Sequence, residues 1–182
     1  MKFNIILAVD SKNGIWKDNW LAWKISADMK YFKNITSNTN DLAKMNAVVM
    51  WRKTRESIPS KYRPLPERVN CILSRKIINN DIWSKIDDYV LYFNSLEKCL
   101  SELESKENIE NIFLIWGANL YNQVLDNPML DKIYITKVKW DYNCDVFFDW
   151  VPNYFIEESS TDIQTENDID YSFCVYKKKA NL

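Results

Sequence analysis

A carboxylate on the apolar side of a predicted helix is the residue best placed to do chemistry in this sequence. Ser26 is a suitable N-cap, and a helix from there to about Asn34 would put Asp28 on the same face as Phe32 and Ile35. A buried carboxylate is costly unless it has a partner. The other interpretation is that Asp28 only favours the helix dipole in the first turn. Both interpretations are open at this point.

Composition narrows the chemistry and the partners. The sequence has no His, so acid–base chemistry must use a carboxylate, Tyr, Lys, Cys or water. Four widely spaced cysteines predict buried thiols in a reducing compartment and no metal site. A net charge of −1 indicates no affinity for nucleic acid or membrane. The apolar run Ile5–Val9 is too short for a signal peptide, and we predict a cytoplasmic protein.

A strand, a turn and a helix follow one another at residues 112–125. The apolar run Ile112–Ile115 predicts a strand buried on both faces, and apolar residues recur at helical spacing in Leu120–Leu125. Such a turn aims backbone N–H groups at a phosphate, and it needs glycine so that the backbone can approach the ligand. Because Trp116 precedes Gly117 in the turn, we predict a phosphate site whose entrance is filled.

Two other predicted strands end in cationic and hydroxyl side chains. Trp51–Thr54 follows the strand Ala47–Met50, and Ser74 and Arg75 follow the strand Val69–Leu73. Ligands of α/β sheets bind at the carboxyl ends of strands, so both positions suit phosphate contacts. A solvated basic helix start is the alternative for Trp51–Thr54.

Strands and helices alternate along the chain, which predicts an α/β sheet. No internal repeat or linker is evident, so we expect one domain over residues 1–182. The remaining predicted elements are the strands Asn4–Val9, Val90–Phe93 and Lys132–Val138, the helix Leu96–Ser105, and the antiparallel closing strands Phe155–Glu158 and Ser172–Tyr176.

Several short motifs along the chain are each weak evidence for a protein family, but their order and spacing together are specific. They are Ile6–Val9, Asn13–Ile15, Leu21 with Trp23, Asp28 with Tyr31 and Phe32, Met50, Arg52–Thr54, Glu56–Pro59, Arg63–Leu65, Arg68, Leu73–Arg75, Ile115, Gly117, Tyr121, Ile135–Thr136 and Asp145–Phe148. In this order and spacing the chain resembles dihydrofolate reductase. The resemblance implies a single-domain α/β fold, with a central, mostly parallel eight-stranded sheet flanked by helices. It also implies NADPH-dependent reduction of 7,8-dihydrofolate to tetrahydrofolate.

The resemblance implies a role for each matching residue. Asp28 resembles the family's acid, which binds the pterin amino group and N3 and promotes protonation at N5 through water. Arg68 resembles the arginine that pairs with the folate α-carboxylate. The residues implied to bind substrate are Ala8, Asp28, Met29, Phe32, Ser57, Ile58, Arg68, Ile115, Tyr121 and Thr136. Those implied to bind NADPH are Arg52, Lys53, Thr54, Ser74, Arg75 and Gly117, with Ser74 and Arg75 near the 2′-phosphate.

The sequence departs from the family pattern where that pattern is tightest. Trp16, Trp51 and Trp116 stand at family glycines, Ala22 at a proline and Arg55 at a tryptophan. We expect the three indoles to fill one cofactor groove and Arg55 to bury a charge. If position 116 has a positive φ, its tryptophan adds roughly 1–2 kcal/mol of backbone strain.

We therefore predict a monomeric dihydrofolate reductase homologue that is inactive or severely impaired. NADPH binding would be weak or absent, and the partly retained pocket would still bind a folate or antifolate. The alternative is an active reductase that tolerates these substitutions through rearranged loops. A reductase for another pterin-like or flavin-precursor substrate is disfavoured, because Asp28 and Arg68 both have specific uses on folate.

Overall fold

A computed structural model of the protein describes residues 2–18, 20–75 and 89–179, without the side chains of Ala118 and Asn119. The helices are α1 Ser26–Ser37, α2 Arg52–Ser57, α3 Leu96–Glu104 and α4 Ala118–Val124, with a 3-10 turn at Ser60–Tyr62. The strands are β1 Phe3–Val9, β2 Gly14–Trp16, β3 Met45–Trp51, β4 Arg68–Leu73, β5 Val90–Phe93, β6 Ile109–Ile115, β7 Leu130–Val138, β8 Val146–Phe147, β9 Phe155–Ser160, β10 Gln164–Glu166 and β11 Ile169–Lys178. Every predicted strand and helix is present.

The chain divides into two compact units. The first comprises Met1–Phe3 and Asn34–Gly117. Its strands lie in the order β6-β3-β4-β5, with parallel pairing throughout. Strands β3 and β4 are mostly apolar and are buried on both faces along almost their whole length, as expected for parallel strands covered by helices. Trp51 is paired with Leu73, so the residues that follow β3 and β4 emerge at one edge of the sheet.

The second unit comprises Asn4–Lys33 and Ala118–Leu182. Its strand order is β10-β11-β7-β1, and β9 also pairs with β11. Strand β11 is antiparallel to β7, β9 and β10, which confirms the predicted antiparallel closing strands. Strands β2 and β8 form a separate antiparallel pair. This unit carries the start of α1 and therefore Asp28.

The chain has a mixed α/β fold with a central, mostly parallel sheet of about eight strands flanked by helices, as predicted. Strands β2, β8 and β10 were not predicted, because segments of two or three residues are too short to show an alternating pattern. Within the part of the chain that the structure describes, no helix is long and apolar enough to cross a membrane.

Candidate functional site

Asp28 is a buried acid with a hydroxyl partner. It lies in the first turn of α1 and is 8% exposed. The Thr136 hydroxyl on β7 donates a hydrogen bond to Asp28 Oδ1 at 2.6 Å. Burial raises the pKa of Asp28 above its ordinary value, and the hydrogen bond from Thr136 opposes that rise. An acid of this kind pairs strongly with a cationic or donor-rich heterocycle and can exchange a proton with it.

The start of α1 is held by a carboxylate from β10. Glu166 accepts hydrogen bonds from the Ser26 N–H at 2.7 Å and the Ala27 N–H at 3.0 Å. These bonds lower the pKa of Glu166, because they favour its charged form. Ser26 is the first helical residue, and the helix continues to Ser37, beyond the predicted end at about Asn34. The position of the turn that carries Asp28 therefore depends on Glu166.

Other predicted pocket residues of the second unit differ in their burial. Tyr121 on α4 is fully buried, and its hydroxyl donates to the Ile6 carbonyl oxygen at 2.9 Å. Phe32 is buried, Ala8 is partly buried, and Met29 is exposed. Tyr121 therefore acts as a fixed support, whereas Met29 has a side chain accessible to a ligand.

Arg68, in the first unit, is buried and hydrogen-bonded. It is 3% exposed, and its Nη1 donates to Thr36 Oγ1 at 2.7 Å while its Nε donates to the Pro66 carbonyl oxygen at 2.9 Å. Burial lowers the pKa of Arg68 from its ordinary value. A guanidinium held this way is suited to recognise a carboxylate.

The other predicted substrate residues of the first unit give mainly support. Ile58 and Ile115 are buried. Ser57 Oγ donates a hydrogen bond to the Thr54 carbonyl oxygen at 2.7 Å, so this hydroxyl is bonded to the backbone of the last turn of α2.

Trp116 adopts the conformation that makes its position suited to glycine. Its φ is 48°, in the left-handed region, so the condition of the prediction about this residue is met, and the strain itself stays a prediction. A side chain in that region costs about 1–2 kcal/mol relative to glycine. The Thr54 hydroxyl donates to the Trp116 carbonyl oxygen at 2.7 Å and ties the turn to α2. The turn after β6 and the start of α2 are thereby connected.

Trp51 is accommodated without backbone strain. It precedes α2 with φ −69° and ψ 151°, an extended conformation open to any residue. The Arg75 guanidinium lies over its ring at 5.7 Å from the centroid, a cation–π geometry. Arg52 forms an ion pair with Glu56 one helical turn further on. Two of the cations predicted to bind the cofactor therefore have partners within the chain.

The remaining departures from the family pattern are milder than expected. No residue of α2 is buried, so the prediction that Arg55 buries a charge is wrong, because the helix lies on the surface. Trp16 is partly exposed and pairs with Val146 across β2 and β8. Ala22 packs against the core cluster that contains Trp23. Trp16 lies in the second unit and the other two tryptophans in the first, so their meeting in one groove stays a prediction.

Asp10 is a buried acid with a structural role that the sequence pattern did not single out. Its buried carboxylate accepts hydrogen bonds from the Lys12, Gly14 and Tyr142 N–H groups at 2.8, 2.7 and 3.2 Å. A Cβ at Gly14 would lie 2.3 Å from the Cys144 Cβ, so only glycine fits there. The available signal was an Asp four residues before a Gly in a polar turn, a common pattern of side-chain-to-backbone bonding.

Comparisons with known proteins agree on one family. A sequence model of the family described as dihydrofolate reductase matches residues 2–178. The dihydrofolate reductase of Drosophila melanogaster is 34% identical over 98% of this chain and 98% of its own length. That of Heliothis virescens is 33% identical over the same shares. A bifunctional dihydrofolate reductase-thymidylate synthase of Arabidopsis thaliana is 34% identical over 96% of this chain and 34% of its own length.

Proposed function

Because this chain belongs to the dihydrofolate reductase family, we propose that it keeps a folate-binding half-site but is inactive or severely impaired as a reductase. The family reaction is the NADPH-dependent reduction of 7,8-dihydrofolate to tetrahydrofolate. The observation that carries the proposal is Trp116, a tryptophan in left-handed conformation at the turn expected to receive the cofactor phosphates.

The folate half of the proposal is supported by Asp28 and Arg68. Asp28 is buried, keeps a hydrogen bond from Thr136 and has a raised pKa, which suits pairing with a pterin. Its role would be to bind the pterin amino group and N3 and to favour protonation at N5 through water. Arg68 is buried and bonded to Thr36 and Pro66, which suits pairing with the folate α-carboxylate.

The cofactor half of the proposal is supported by the two modified turns. NADPH in this family brings a hydride and a chain of phosphates, and the residues here that would hold it are Lys53, Thr54, Ser74 and their neighbours. An indole at position 116 occupies space beside the turn, and an indole at position 51 engages Arg75. A large side chain and an occupied cation both reduce affinity for a phosphate group.

An active reductase is the second candidate, and specific observations favour it. Trp51 has an unstrained backbone, and no residue of α2, including Arg55, is buried. The fold therefore accommodates both substitutions without a strained backbone or a buried charge at these positions. An active enzyme would have to accept NADPH along a different path past Trp116.

Calorimetric titration with NADPH, and separately with a diaminopteridine antifolate, decides between the two. The proposal expects micromolar or tighter antifolate binding and little heat with NADPH. Micromolar NADPH binding, together with loss of NADPH absorbance when dihydrofolate is added, would establish the active enzyme instead.

A further inference from the structure

The segment that leads into β4 is tied to a buried asparagine. Asn70 lies on β4, two residues after Arg68, and is almost fully buried. Its Oδ1 accepts a hydrogen bond from the Leu65 N–H, and its Nδ2 donates to the Leu65 and Arg68 carbonyl oxygens, each at 2.9 Å. One carboxamide therefore holds both ends of the segment from Leu65 to Arg68.

The same segment contains a backbone conformation that needs support. Glu67 has φ 63°, in the left-handed region that costs about 1–2 kcal/mol for a residue with a side chain. Such conformations persist where the surrounding contacts over-determine them. Glu67 lies between Arg68 and Pro66, whose carbonyl oxygen accepts the Arg68 Nε–H. The Asn70 hydrogen bonds thus stabilise the strained turn that carries one of the acceptors of Arg68.

Arg68 is also held from a second element. Thr36 lies near the end of α1, and its hydroxyl oxygen accepts the Arg68 Nη1–H at 2.7 Å. Two hydrogen bonds to acceptors on separate elements determine the plane of the guanidinium. Bidentate pairing with a carboxylate depends on that plane, because two parallel N–H···O bonds must form together.

We propose that Asn70 and Thr36 are positioning residues, which fix the plane of Arg68 for a carboxylate of the bound ligand. This inference rests on the proposed folate half-site. Asn70 acts through the backbone of residues 65–68, and Thr36 acts directly on Nη1. Loss of either contact keeps the charge of Arg68 but frees its orientation. Affinity for a ligand carboxylate then falls, while affinity for the rest of the ligand is kept.

Two ligands that differ only at the glutamate separate positioning from general stability. Methotrexate and its α-carboxamide share the diaminopteridine ring expected to pair with Asp28. By calorimetry, wild type should bind methotrexate at least about 10-fold more tightly than the carboxamide. In Asn70→Asp and in Thr36→Val this ratio should fall to about threefold or less, and Thr36→Ser should restore it.

Asn46→Asp is the matched control. Asn46 is a fully buried carboxamide on the neighbouring strand β3, and its Nδ2 donates to the Asn38 carbonyl oxygen at 2.8 Å. This variant should lose stability and keep the ligand ratio. An unchanged ratio in Asn70→Asp and Thr36→Val, or an equal fall in Asn46→Asp, overturns the positioning role. If Asn70→Asp does not fold, Thr36→Val and its rescue by Thr36→Ser decide.

A measurement without ligand keeps the two proposals separate. Exchange of the Arg68 Nε–H with solvent, followed by NMR, should be slow in wild type and about 10-fold faster in Asn70→Asp and Thr36→Val. If wild type binds neither methotrexate nor its carboxamide, the folate half-site is wrong. Unchanged exchange in both variants overturns the positioning role by itself.

The tryptophans carry a second, independent inference. The sequence has eight Trp and two Gly, where average usage of about 7% predicts roughly a dozen Gly. Trp23 is 5% exposed and packs in a core cluster, as a large aromatic side chain should. By contrast, Trp20, Trp140 and Trp150 are between 66% and 70% exposed, and Trp116 has the left-handed φ that glycine prefers.

We infer that the organism that makes this protein inserts glycine at these positions, through a UGA codon that it reads as glycine. UGA and the glycine codon GGA differ in one base, and the reading of UGA varies among genetic codes. The loss of reductase activity proposed above then applies only to a chain that carries tryptophan at these positions. The positions concerned are the three family glycine positions 16, 51 and 116 and the three exposed positions 20, 140 and 150.

Peptide masses of the protein purified from its source test this assignment. Glycine should appear at the six positions and tryptophan at position 23, and the gene should carry UGA at the six and UGG at position 23. Tryptophan in the native peptides, or UGG at the six positions, overturns the inference. Neither result depends on ligand binding, so it is separate from the test of the reductase proposal.

Discussion

The residues expected to hold folate and the turns expected to hold NADPH differ in how their charged side chains are partnered. The Thr136 hydroxyl donates a hydrogen bond to Asp28, and Arg68 donates hydrogen bonds to the Thr36 hydroxyl oxygen and the Pro66 carbonyl oxygen. Arg52 and Arg75 are instead engaged by Glu56 and by an indole. Hydrogen bonds to neutral groups orient a charged side chain, whereas Arg52 and Arg75 would have to give up an ionic or an aromatic partner in order to bind a phosphate.

The strongest test of this contrast is restoration of glycine at the three family positions. Trp16→Gly, Trp51→Gly and Trp116→Gly together should strengthen NADPH binding at least about 100-fold, or about 2.7 kcal/mol. NADPH-dependent reduction of dihydrofolate should appear at about 1 s⁻¹ or faster. Single reversions should do little, because each remaining indole still occupies space, and the effects should be strongly non-additive. Loss of NADPH absorbance measures the rate. A folded triple variant without activity would show that blockage is an insufficient account.

The next largest effect should come from the folate half. Asp28→Asn removes the charge that would pair with a protonated diaminopteridine, so antifolate affinity should fall at least about 10-fold. Calorimetry of wild type and variant measures the loss. Equal antifolate affinity in wild type and Asp28→Asn would remove Asp28 from the binding site.

Asp28→Asn should stabilise the folded protein, although it weakens antifolate binding. The pKa of Asp28 is raised in the folded protein, mainly by burial, so the folded state binds more protons than the unfolded state between the two pKa values. The free energy of unfolding therefore falls as the pH rises through that interval. Asp28→Asn should be more stable than wild type at neutral pH, and the difference should shrink in acid. Urea unfolding at both pH values measures it. A stability difference that is independent of pH would contradict the raised pKa.

The smallest effect concerns Trp116 alone. Trp116→Gly removes left-handed strain of about 1–2 kcal/mol, and the greater freedom of glycine in the unfolded chain offsets part of that gain. The free energy of unfolding should rise by up to about 1 kcal/mol, measured with urea. Trp51→Gly is the matched control, because position 51 has an ordinary φ, and it should show no gain. Equal changes in the two variants would contradict the strain at position 116.

Strands and helices with a clear pattern of apolar residues could be predicted from the sequence, whereas contacts between residues far apart in the chain could not. The segments Ala47–Met50 of β3 and Ile112–Ile115 of β6 are continuous apolar runs, and α1 has an apolar face that includes Asp28. The Thr136 partner of Asp28 came only from the family resemblance, since the two residues are 108 positions apart. Arg55 was misjudged because a family position says which residue packs inward in relatives, but not whether α2 is buried here.

Asp10 and Glu166 show what a pattern search leaves out. Each acts by accepting backbone N–H groups, and Glu166 does so 140 residues away from Ser26. Nothing in the local sequence marks a carboxylate for such a distant task.

The bond between Glu166 and the first turn of α1 also sets an order of events during synthesis. Ser26, Ala27 and Asp28 leave the ribosome well before Glu166, which follows Ser26 by 140 positions in the chain. Until β10 has been made and has paired with β11, the first N–H groups of α1 lack this acceptor. Asp28 can therefore reach its final place only after β10 has been made, and a nascent chain that stops short of β10 would carry Asp28 without the contact that positions it.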